Sequence, residues 1–171
     1  DTTAEAFNHW NDEGEIPTTC ARCHSTPGYR DYLGDDGTEA GVVDNPAPTG
    51  TVVTCITCHN DTASMLTTVT FPSGVEVTNI GPEARCMVCH QGRASTVDVN
   101  TAIEEAMADD PDAVNSELGF INIHYYAAAA TRYGGETLGG YQYDGKLYDH
   151  KFDHVEDFNS CIGCHDQHSL Q

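Results

Sequence analysis

Positive charge is scarce in this sequence. Seven Lys and Arg stand against 27 Asp and Glu in 171 residues, a formal net charge of −20. Nucleic-acid backbones are bound through basic patches, and so few cations exclude that class of partner. Long apolar runs are missing as well. No run of 18 or more apolar residues occurs, so no transmembrane helix is expected. Apolar side chains make up only 39% of the chain, little material for a side-chain core between two layers. There is no basic-then-apolar leader at Asp1, which implies a signal peptide absent or already removed. No Cys near the N-terminus offers a lipid anchor.

Cysteine, by contrast, is present in a strict grammar. The stretches are Cys20-Ala21-Arg22-Cys23-His24, Cys55-Ile56-Thr57-Cys58-His59, Cys86-Met87-Val88-Cys89-His90 and Cys161-Ile162-Gly163-Cys164-His165. Cys-x-x-Cys-His is the attachment signature of c-type haem. Two thiols three positions apart reach the two vinyl groups of one porphyrin, and the following imidazole binds the iron as proximal ligand. The four copies consume all eight cysteines. Zinc ribbons also pair Cys-x-x-Cys knuckles, and redox dithiols use the same spacing. Neither requires His after the second Cys, still less four times in four. The expectation is four covalently attached haem c groups, with His24, His59, His90 and His165 as proximal ligands.

Four macrocycles in so short and polar a chain must themselves act as the core. The fold class expected is a multihaem cytochrome c, mostly coil with a few short helices and small hairpins, forming one domain over 1–171. Haem propionates would add to the negative charge, which favours cationic partners and sets copies to repel one another. Covalent haem attachment takes place outside the cytoplasmic membrane, so an exported protein is expected.

Residues 1–19 read as an N-terminal arm ahead of the first anchor, with a short helical turn from Thr3 to Trp10 and His9 beside Trp10. Gly28–Gly50 is turn-rich and acidic and reads as a loop. Leu66–Thr78 alternates around Pro72-Ser73-Gly74, the pattern of a short hairpin. Asn60-Asp61-Thr62 fits a glycosylation sequon, a tripeptide that more often occurs by coincidence. Asp98 or Asn100 is placed to cap a helix through Ile103, Ala106 and Met107. A second helix is predicted over 123–133, stopped by Gly134-Gly135. Tyr141–Tyr148 reads as a hairpin on Asp144-Gly145.

Each iron takes a sixth ligand unless a site is kept open. Beyond the four motif histidines stand His9, His124, His150, His154 and His168, one more than four irons need. Met is the competing ligand. Met87 lies inside its own motif, Met107 falls on a predicted apolar stripe, and Met65 is a weaker candidate than any of the five histidines. His150 and His154, four apart, would share a face if that stretch is helical. His154 leads into the last motif. The distal set expected is therefore His9, His124, His154 and His168, with His150 spare. Catalysis at iron needs an open position, and here ligands exceed irons. No enzyme activity is expected, and a multihaem oxidoreductase is the weakest reading.

Further stretches carry a resemblance. Phe7-Asn8-His9-Trp10, Cys86-Met87-Val88-Cys89-His90-Gln91-Gly92-Arg93, Ile123-His124-Tyr125-Tyr126-Ala127, Gly139-Gly140-Tyr141-Gln142-Tyr143 and Cys164-His165-Asp166-Gln167-His168 together resemble the tetrahaem extracellular cytochromes of bacteria and archaea that polymerise into filaments, the cytochrome nanowires. The resemblance implies a loop-rich fold wrapped around a continuous haem stack, subunits joined head to tail, and long-range electron transfer at the cell surface. It also implies that one distal His comes from the adjacent subunit. His9 is the candidate, because its arm is not pinned between two anchors. The acidic charge departs from what polymerisation favours. The alternative is a monomeric periplasmic tetrahaem shuttle with every ligand in cis.

The ligand count predicts that His150→Ala leaves the optical spectrum of the haem-loaded protein low-spin. A high-spin band would make His150 a ligand.

Overall fold

The structure, a computed structural model, describes residues 14–50, 52–106, 110, 113–153 and 155–169. Backbone contacts divide the described chain into two compact units, one ending at Leu66 and one beginning at Thr67.

In the first unit, β1 (Glu15–Ile16) pairs antiparallel with β2 (Ala47–Pro48), Ile16 opposite Ala47. The helix α1 (Thr18–His24) starts directly after Pro17. Ile16, Ala21 and Ala47 are buried together, with Cys20 and Val43 packed on them. Within the expected arm Glu15–Ile16 is paired: an apolar Ile16 with a partner in the later loop is worth more buried than free. His9 and the predicted turn from Thr3 to Trp10 lie outside the described residues.

A second helix, α2 (Thr26–Tyr32), occupies the start of the predicted loop. Ser25 makes both ends of the junction. Its hydroxyl donates to the Ala21 carbonyl at 2.9 Å and accepts the Gly28 N–H at 2.9 Å, and Pro27 fits the first turn, where no N–H is needed. The two helices touch so closely that a Cβ on Gly28 would lie 2.5 Å from the Ala21 backbone. The rest of the loop hangs on buried Asp31, whose carboxylate accepts from the Thr38 hydroxyl and the Asp44 N–H.

The helices α3 (Cys55–Cys58) and α4 (Asp61–Met65) follow. Asn60 caps α4, its side-chain oxygen accepting from Ala63 N–H at 2.7 Å while its amide donates to the Ile56 carbonyl at 2.8 Å. Buried and spent on both sides, it serves the helix end, and the sequon has a structural explanation.

The second unit opens with the predicted hairpin, β3 (Val69–Thr70) against β4 (Glu76–Val77), closed by the Phe71 N–H to the Val75 carbonyl. Val69, Phe71, Val77 and Ile80 are buried. The hairpin packs on α5 (Ala84–His90), which carries the third motif and buries Met87 and Val88. Next comes α6 (Thr96–Glu105), starting earlier than expected. Ser95 is the cap, and Asp98 sits three residues in as the second half of a capping box, accepting the Ser95 N–H at 2.7 Å. Such a box is worth about 1 kcal/mol. Met107 lies outside the described residues.

The helix predicted over 123–133 forms only as α7 (Ala128–Tyr133), ending at Gly134. His124 (φ +87°) and Tyr126 (φ +53°) sit in the left-handed region, which no α-helix passes through. Asp144-Gly145 makes its turn, with Lys146 N–H on the Tyr143 carbonyl, but no strand pairing flanks it. The Tyr143 N–H goes instead to the Tyr148 hydroxyl at 2.9 Å. His150 through Asp153 is not helical, which removes the helical condition on which His150 and His154 were expected to share a face; His154 itself lies outside the described residues. A 3₁₀ turn at Cys161–Gly163 carries the last motif.

The closeness of α1 and α2 predicts that Gly28→Val destabilises the first unit by about 1–3 kcal/mol through overpacking. Denaturant titration of the haem-loaded protein by far-UV circular dichroism reads this as a lower midpoint.

Candidate haem-binding sites

All four Cys-x-x-Cys pairs lie on a single helical turn: in α1, spanning α3, in α5, and on the 3₁₀ turn. Residues three apart on a helix point the same way, so each pair presents two sulfurs to one side, with the imidazole following. None of the eight cysteines is in a disulfide, and all are half-buried or exposed. That is unusual, because a free Cys is among the most buried residue types. Among the described residues no three of His, Cys, Asp and Glu are placed to hold a metal ion as a tetrahedral knuckle would. His59, His90 and His165 are exposed and His24 half-buried.

In the first unit the two motifs are tied by hydroxyls. Thr26, at the start of the helix after the first motif, bonds Thr57 inside the second at 2.8 Å and Thr54 at 3.0 Å. Thr57 Oγ1 also accepts the Thr54 N–H at 3.0 Å, which closes the capping box of α3. Thr26 and Thr57 are buried, so each lost bond would leave a polar group without water.

The second unit holds the other two motifs in one neighbourhood. Arg132 of α7 pairs with buried Glu83, the residue before α5, at 3.5 Å and reaches Asp153 at 3.9 Å. Cys161 lies against this group: burial pushes its thiol up, while the Arg132 guanidinium pulls the other way. The proximal candidate His90 has its Nδ1 at 2.7 Å from the Tyr126 carbonyl. A carbonyl only accepts, so Nδ1 carries the proton and Nε2 is left with its lone pair, the tautomer a metal ligand needs. His124 is half-buried, and burial together with the charge of Arg93 lowers its pKa, favouring the neutral imidazole that can coordinate.

Apolar surface stands uncovered in this second unit. Phe120 is 91%, Tyr126 85% and Leu147 100% exposed, and Tyr125, Phe152 and Phe158 are exposed too. Water does not leave so many large side chains bare without cost. An open groove of about 370 Å³ runs past the flat backbone of Gly134, Gly135, Gly139 and Gly140 between Tyr141 and Phe152. Paired sulfurs, an imidazole with free Nε2, and uncovered aromatic faces fit haem c.

Of the residues expected to bind iron, the four motif histidines, His124 and His168 are placed, while His9 and His154 are not among the described residues. His168 is exposed, with its N–H on the Asp166 carboxylate at 3.0 Å. Met65 is 74% exposed and Met87 wholly buried in α5 packing. What sequence reading missed are the groups behind the ligands: Thr26, Thr57 and the Tyr126 carbonyl. A Thr inside a motif was the only signal, and a backbone carbonyl leaves none.

These sites define a multihaem c-type cytochrome, of a class that carries electrons. Residues 5–91 match the family described as cytochrome c7 and related cytochrome c, and the chain belongs to it. That stretch takes in the first three motifs; the fourth, at Cys161–His165, lies beyond it. The chain is also 28% identical over 182 residues to proteins named C-type polyheme cytochrome OmcB from two strains of Geobacter sulfurreducens, DL-1/KN400 and ATCC 51573/DSM 12127/PCA. The similarity covers 86% of this chain but only 23% of those relatives. No solved structure matches. No helix among the described residues is long and apolar enough to cross a membrane.

Proposed function

We propose that this chain carries electrons outside the cytoplasm through four haem c groups, each held between two histidines, as one subunit of a cytochrome filament. The observation that carries the electron-transfer reading is the fourfold Cys-x-x-Cys-His with five further histidines, more than four irons use. Haem c supplies reversible one-electron chemistry, and bis-His ligation sets its potential below that of His/Met sites. The chain's own part is to hold the imidazoles. Thr26 and Thr57 fix the first two anchors, and the Tyr126 carbonyl fixes the tautomer of His90. With no ligand position to spare, substrate has nowhere to bind iron, which supports a carrier over an enzyme.

The filament reading rests on the resemblance of the intervening segments. A distal His9 reaching into the next subunit would make a head-to-tail contact that repeats without closing. The whole chain, 1–171, would then be one tetrahaem subunit, exported to the cell surface, with other redox proteins or extracellular acceptors as its partners. The net charge of −20 favours the alternative, a monomeric periplasmic shuttle, because like-charged copies repel.

Negative-stain electron microscopy of the native, haem-loaded protein distinguishes the two. Uniform thin filaments that disappear in a His9→Ala variant, with the monomer still fully loaded, are expected. Dispersed monomers across several salt concentrations would establish the shuttle instead. Filaments unchanged in His9→Ala would rule out His9 as the crossing ligand.

A further inference from the structure

The segment from Asn122 to Ala127 is laid across the C-terminal end of α5 by a set of specific contacts. Gly92, two residues after His90, has φ +87°, and a Cβ there would stand 2.9 Å from Ile123 Cγ1 and 3.1 Å from the Ile123 carbonyl. The Arg93 N–H donates to that carbonyl at 2.9 Å. The Asn122 side-chain oxygen accepts the His124 N–H at 2.9 Å. His124 and Tyr126 both hold left-handed backbone, which is strained for a residue with a side chain. The Tyr126 carbonyl that results is shared by the Ala128 N–H and His90 Nδ1, each at 2.7 Å. Strain of this kind persists only where surrounding contacts impose it, and here it aims one carbonyl at one imidazole.

We propose that His124 ligates the iron of a haem other than the one anchored at Cys86 and Cys89. The link His124-Tyr125-Tyr126 then joins the distal ligand of one haem to the proximal ligand of its neighbour. This rests on the reading of His90 and His124 as axial ligands. The two axial ligands of one iron lie on opposite faces of the macrocycle. His90 offers Nε2 to its iron, so the Tyr126 carbonyl, bonded to Nδ1, stands behind the imidazole on the side away from that haem. Two residues extend at most about 7 Å. That reach does not carry the chain from behind a proximal imidazole, round the edge of a porphyrin, to a point above its other face. His124 therefore serves a second iron on the His90 side of the third haem. Because the same strained segment sets both ligands, a change at one is felt at the hydrogen bond of the other.

The test uses electron paramagnetic resonance of the oxidised, haem-loaded full chain, with the high-spin signal counted per chain. His124→Ala is expected to give one high-spin haem. The same substitution combined with Cys86→Ser and Cys89→Ser, which removes the third haem, is expected to keep that signal at equal intensity. Loss of the signal along with the third haem would overturn the proposal. A His124→Ala protein that stays wholly low-spin would instead strike His124 from the ligands, which is failure of the underlying reading. Should the three-haem protein not accumulate, the His90→Ala/His124→Ala pair decides. Two high-spin haems are expected from two different irons, and a single affected haem would contradict it.

Discussion

Everything in this chain depends on two thiols being held one helical turn apart with an imidazole directly behind them. That requirement is local, and a short helix satisfies it at once, because positions three apart share a face. It explains why α1, α3 and α5 exist where they do and why α3 is only Cys55–Cys58 long. Isolated helices of that length do not hold themselves in water. They are held by devices placed around them: the Ser25 junction, the Thr54/Thr57 capping box, and the Arg132–Glu83 pair at the start of α5.

The protein core that remains is small and divided. Ile16, Ala21 and Ala47 make one patch, and the hairpin with Met87, Val88 and Tyr133 makes another. Many large apolar side chains of the second unit are bare. A chain with 39% apolar residues cannot bury four anchors against its own side chains. Bound porphyrins would supply that surface, with the Thr26–Thr57 bond in the first unit and the Tyr126–His90 bond in the second each fixing a motif.

How much was legible beforehand follows from which forces are local. The low content of regular structure and the turn at Pro72-Ser73-Gly74 are written in short spacings, and they appear as read. The helix expected over 123–133 failed because Ala-rich helical preference in Tyr125–Ala130 was overridden at His124 and Tyr126. Contacts from Gly92, Arg93 and His90, more than thirty residues earlier in the chain, impose a left-handed backbone there. The cap of α6 was misplaced by taking Asp98 or Asn100 as the cap, when Ser95 is the cap and Asp98 completes its capping box. Ile16 read as part of an unpaired N-terminal arm because its partner, Ala47, lies in a stretch whose Gly, Asp and Pro content signals only turns. The choice among the distal histidines is a matter of tertiary distance, to which sequence spacing gives no access.

The most direct measurement is quantitative electron paramagnetic resonance of the oxidised protein, with spins counted against chain concentration. Four bis-His irons predict four low-spin ferric centres per chain and no high-spin signal. Fewer than four haems, or one full equivalent of high-spin iron, would contradict four closed sites and bring back a position open to substrate.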